Sequence, residues 1–159
     1  SFGSVGKVTA SVRRAFSSGN VIDVFILEKA SDTQMRRSTP QFKLDLLESM
    51  NAKKMLTSEF VLLDGLIRTI DLVVSLNIDK ELKGKSESIK LDAKDAIQKF
   101  FSVDNSDFGK TLNLQDLNRS IFQLDEVRFS SIDNLKYDVP VNFNEIIQLN
   151  NLTINLNLV

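Results

Sequence analysis

The chain has 159 residues and a mass of 17.9 kDa, 42% apolar and 26% charged, the composition of one globular domain or two small lobes. Twenty Lys and Arg against 21 Asp and Glu leave a net charge of −1, which argues against a general nucleic-acid binder with its basic footprint. With no His and no Cys, imidazole bases, thiolate nucleophiles, Fe–S clusters, thiolate zinc sites and disulfides are excluded.

Val8, Ala10 and Val12 alternate with Lys7, Thr9, Ser11 and Arg13, a period of two that predicts a strand. Ser17-Ser18-Gly19-Asn20 reads as a turn. Val21 to Lys29 is β-branched, aromatic and nearly continuous in apolar residues, so a second, mostly buried strand follows. Residues 30–38 are polar and unpatterned and predict a mobile loop. Thr39 then caps a helix whose first position is Pro40, where the missing N–H costs nothing. Phe42, Leu46 and Met50 share one face of it, and Asn51 ends it.

Glu59 to Leu63 and Leu66 to Ile78 are strand-like runs joined by Asp64-Gly65, a short-range hairpin signal. A charged loop, Lys80 to Lys85, leads to a second helix with the stripe Ile89, Ala93, Ala96, Ile97, Phe100 and Phe101. Asn113 opens a third helix, with Leu114, Leu117, Ile121 and Leu124 on one side. Val127 to Ile132 and the alternation Leu152, Ile154, Leu156, Leu158 are the last strands. Strands in pairs, with helices between them and no regular βαβ units, give an α+β class: mostly antiparallel strands with about three helices packed on them. The expected lobes are 1–64 and 65–159.

Several motifs invite a chemical reading. Gly84-Lys85-Ser86 follows a strand and precedes a helix, the context of a phosphate loop, but the position of the loop's first glycine is Asp79. Gly109-Lys110-Thr111 fails similarly at Asp104, so a solvated loop with Ser86 as helix cap is the plainer reading. Asp104-Asn105-Ser106-Asp107 begins like a calcium loop, yet Phe108 and Gln115 stand where oxygen ligands are needed. Arg13-Arg14, Arg36-Arg37 and Lys53-Lys54 make the first 60 residues basic, with nine cations against six anions, while the remainder has 11 against 15. That asymmetry suits head-to-tail or hetero-contact between copies. The Phe residues, among them Phe100, Phe101, Phe122 and Phe129, are expected to fill the core. No catalytic, cofactor or metal-ligating residue is assigned.

Residues 93–129, preceded by the strand RTIDLVVSLNI, resemble the baseplate J-like family of contractile phage tails, which includes the baseplate wedge subunits. The shared features are a helix ending in Phe100-Phe101, a Phe108-Gly109 turn, and a short apolar strand at Leu112. A helix with Leu114, Leu117 and Ile121 and a strand starting at Val127 complete them. Asn144 to Leu149 followed by LTIN is similar to the family's closing segment, whereas Glu126 stands where the family often has Gly.

The resemblance implies a structural virion protein of the tail baseplate, assembled in the host cytoplasm. Such a protein pairs with copies of itself, as homodimer or ring, and with other wedge proteins, and it helps transmit sheath contraction. It implies no enzyme activity, no cofactor, no nucleic acid and no membrane. Residues 65–159 would correspond to the family's C-terminal region, and Ser1 in place of Met suits a fragment of a longer chain or a processed chain. The free strand edge at Leu152, Ile154, Leu156 and Leu158 is the expected partner interface. On that expectation, cutting after Asn151 changes the association state. A small adaptor that binds a partner peptide, or a phosphate-binding domain, are the alternatives.

Overall fold

The computed structural model describes residues 5–14, 20–53 and 58–159. Strands β1 (Val5–Arg14), β2 (Asn20–Lys29), β3 (Met35–Arg36) and β4 (Ser58–Asp64) form one sheet, and helix α1 (Pro40–Asn51) leads into β4. Strands β5 (Leu66–Ile78), β6 (Val127–Ile132) and β7 (Glu145–Leu158) form the second, in the order β6-β5-β7. Helices α2 (Ser86–Phe100) and α3 (Leu114–Ile121) lie between β5 and β6 in the chain. The fold is α+β, with antiparallel pairs β1–β2, β2–β3 and β5–β6.

Two further pairs, β2–β4 and β5–β7, are parallel. Parallel neighbours need a crossover, and each pair has one that carries helix: α1 for the first, α2 and α3 for the second. Helical crossovers therefore exist where the sequence suggested none. The Asp64-Gly65 hairpin is likewise corrected, because β4 and β5 belong to different sheets. The Gly65 N–H bonds Ile26 O (3.0 Å) and the Leu66 N–H bonds Asn144 O (2.9 Å), so the chain steps from one sheet to the other here. Each arm's long ladder with a distant strand outweighs a two-residue turn preference.

The main core lies under the second sheet. Leu72, Val74, Leu76 and Ile78 of β5 meet Ile89, Ala93 and Ile97 of α2 and Leu117 and Ile121 of α3. Leu27, Met35, Val103 and Ile146 form a second buried cluster that joins the sheets. Gly65 is part of this junction, since an added Cβ would stand 2.5 Å from the Phe108 ring and 3.0 Å from Leu27.

Local signals explain the helix starts. Thr39 Oγ1 accepts from the Phe42 N–H (3.3 Å), and Asn113 Oδ1 accepts from the Gln115 and Asp116 N–H groups (2.9 and 3.1 Å). Ser86 is not a cap: its hydroxyl donates to Lys83 O (2.7 Å), and Lys80–Lys85 is a 3-10 turn running into α2. Residues 30–38 are structured as well, because β3 pairs with β2 and Met35 is buried, its N–H bonding Gln148 Oε1 at 2.8 Å. Phe101 is core and Phe100 packs against it, whereas Phe122 and Phe129 are exposed. Residues 17–19 of the expected turn and Lys54 of the Lys53-Lys54 pair fall outside the described residues, and Asn20 is the first residue of β2.

Candidate functional site

The hydrophobic alternation of β7 is set by its ladder with β5: Leu152 lies beside Leu72, Ile154 beside Val74, Leu156 beside Leu76 and Leu158 beside Ile78. The four residues expected at the interface thus share one face, the face covered by helices. Leu152, Ile154 and Leu156 are half-buried against the core, and only Leu158 is exposed. What is free is the backbone: among the described residues β7 has β5 on one side and no strand on the other. Removing residues 152–159 would strip buried β5 of that ladder, so a cut after Asn151 tests folding before it tests association.

A groove of ≈450 Å³ runs beside this edge, between Leu152 and Ile154 of β7 and Glu87, Lys90, Leu91 and Lys94 of α2. It continues past Lys94 and Leu152 into a more polar hollow of ≈300 Å³ that reaches Gln34, Gln98 and Asn150. Here β7 carries a bulge: Ile70 aligns with Leu149 and Leu72 with Leu152, so Asn150 and Asn151 together face Asp71. The opposite face of the sheet is polar. Asp133 accepts from Ser75 Oγ (2.5 Å) and Ser131 Oγ (2.8 Å), and Asn157 Nδ2 donates to Asn77 Oδ1 (3.2 Å).

The first sheet has a second free edge. In it β1 pairs with β2 alone, and its apolar residues face outward, Val8 51% and Val12 61% exposed. Helix α1 packs on β4 rather than β1, tied there by Lys43 Nζ to Asp64 (2.8 Å). Val8 is in line with Ile26 and Asp64, so the uncovered strip is on the same face as α1. This exposed strip is not visible in the sequence, where the β1 alternation looks like that of any half-buried strand.

The other sequence motifs are committed to structure. At Gly84-Lys85-Ser86 the Ser86 N–H and hydroxyl both go to Lys83 O, leaving no cradle of free donors there. Lys110 Nζ donates to Asn105 O (2.9 Å), and Gly109 holds a positive φ of 71° with its N–H on Glu145 O (2.9 Å). Asn105 Nδ2 donates to Lys99 O (2.7 Å) and Ser106 Oγ to Ser102 O (2.9 Å), so this segment closes the end of α2. Among the described residues no three Asp or Glu come together as a metal cluster.

One residue of each of two basic pairs is likewise engaged. Arg13 forks onto Asp23 (3.1 and 2.6 Å), a hydrogen bond and attraction that raise the guanidinium pKa. Arg36 Nε pairs with Glu28 (3.0 Å), a carboxylate on a residue only 3% exposed. Lys29 is held charged to higher pH by its hydrogen bond to Asp32, with Asp104 nearby. No helix among the described residues is long and apolar enough to cross a membrane.

No protein-family model matches the chain, and no curated protein matches its sequence.

Proposed function

We propose that the chain is an architectural subunit that works through docking surfaces, a baseplate wedge component of a contractile tail. The observation that carries this reading is the C-terminal half of β7, residues 152–158, at a sheet border with no strand on its outer side among the described residues. Such an edge is a row of backbone donors and acceptors ready to take another strand, and burial of the adjoining groove adds affinity. The arrangement of residues 93–129 also supports it: α2 ends at Phe100, a left-handed Gly109 follows, then α3, and β6 begins at Val127. In this reading the protein binds copies of itself and neighbouring wedge proteins in the virion tail. Its part in contraction is to pass on force through those contacts.

The test pairs light scattering of the purified chain with its recovery from tail particles. Thr153→Lys with Asn155→Lys places charge along the exposed side of β7. It is expected to weaken association at least tenfold while circular dichroism and melting stay unchanged. A chain that is monomeric at every concentration and absent from tail particles overturns the reading. The groove beside α2 favours one second reading, an adaptor that captures an extended foreign peptide. That alternative predicts a monomer that binds the peptide and loses it with the same two substitutions.

A further inference from the structure

We infer that the strand received by β7 is β1 of a second copy, so that molecules join head to tail. The inference rests on the assembly reading above and specifies its contact. Each molecule has both halves of such a joint, because β1 borders one sheet and β7 borders the other.

The two borders match face for face. If β1 is laid along β7, Val8, Ala10 and Val12 come under α2, against Leu91, Leu152 and Ile154 of the groove. Their polar alternates, Thr9 and Ser11, then extend the polar face that carries Thr153 and Asn155. A slip of one residue would reverse both matches and set valines among asparagines, so only even registers are allowed. The contact also supplies what β1 lacks. Its outward valines lie beyond the cover of α1, and the neighbour's α2 would roof that strip.

Charge at the joint is largely settled within each molecule. The first 60 residues have nine cations and six anions, the remainder 11 and 15, and β1 itself contains Lys7, Arg13 and Arg14 with no acid. Lys7 is paired with Asp107 and Arg13 with Asp23, and the groove lining has Lys90 and Lys94 beside Glu87, so the joint rests on its matched apolar faces rather than on ion pairs. A contact between two different surfaces does not close after two copies. It propagates until a ring closes or a filament grows.

The natural absence of cysteine makes the test clean. Chains carrying Thr9→Cys are mixed under mild oxidation with chains carrying Thr153→Cys, Asn155→Cys or Asn157→Cys. The expected result is a mixed disulfide dimer with one of the three partners, and none when any variant is oxidised alone. Val8→Lys with Val12→Lys should abolish that cross-link and weaken association at least tenfold without lowering the melting temperature. Cross-linking of the Thr9→Cys chain with itself, or of a β7 variant with itself, overturns the head-to-tail joint. Association without any of these cross-links also overturns it, but leaves the assembly reading standing. A chain that neither associates nor cross-links overturns the joint, and absence from tail particles then removes the assembly reading too.

Discussion

Asp71 holds Asn151 twice: its Oδ1 accepts from the Asn151 backbone N–H and from the side-chain amide, each at 3.0 Å. The same oxygen takes the Asn150 side-chain amide at 2.9 Å, so one carboxylate satisfies the bulge that changes the phase of β7. Upstream of the bulge Ile147 and Leu149 face the core, and downstream Leu152 and Ile154 do. On the other side of β5 Asn134 extends the sheet, its amide bonding Asp71 O (2.7 Å) and the Val73 N–H (2.9 Å).

Asp71→Ala leaves the Asn151 N–H to water and lets the bulge slip. A loss of about 1 kcal/mol is expected, or about 2–4 °C in melting temperature for a chain of this size. Asp71→Asn keeps an acceptor and should lose less. Thermal unfolding followed by circular dichroism reads both, and equal losses would show that the carboxylate position is not what holds the bulge.

Arg36 neutralises Glu28, whose side chain is buried while the guanidinium is largely exposed. Arg36→Met is expected to cost about 2 kcal/mol, below the figure for a fully buried pair because water still reaches one partner. Adding Glu28→Gln should recover most of it. A double-mutant cycle by urea denaturation checks this, and strictly additive effects would rule out the coupling.

Gly65→Ala drives a methyl group into the Phe108 ring at the junction of the sheets. Overpacking of this kind costs about 2 kcal/mol. In Phe108→Leu the ring atoms at 2.5 and 2.6 Å are gone, so the alanine should be tolerated better there than in the native background. Denaturation midpoints of the four chains decide it.

Asn113→Ala removes the acceptor for two N–H groups at the start of α3 and should cost about 1 kcal/mol. Asn113→Asp keeps the cap and should be close to neutral. If both variants unfold at the same denaturant concentration, the cap contributes nothing.

Much of this molecule is legible in its residues. Thr39-Pro40 and Asn113 mark helix starts to the residue, because a cap is a bond between groups two or three positions apart. The strand Val127–Ile132 is read from its pattern alone. Even the bulge has a trace, since the apolar phase of β7 shifts across Asn150-Asn151. The residues expected at the interface share one face of β7, but that face looks toward α2, and the free element is the backbone beside them.

Misreadings occur where a local preference competed with a distant partner. Asp64-Gly65 has hairpin chemistry, yet its flanking strands pair with β2 and β7. Met35 sits in a polar stretch and is buried by the junction cluster. Taken alone, the amino-acid order determined the three helices, the caps at Thr39 and Asn113, every long strand and the absence of imidazole and thiol chemistry, since these depend on neighbours within a few positions. Only the tertiary structure decided which strands run parallel, which edges stay open and which valines face water. Those outcomes are set by competition among pairings tens of residues apart, and burial energy over whole faces outweighs any single turn.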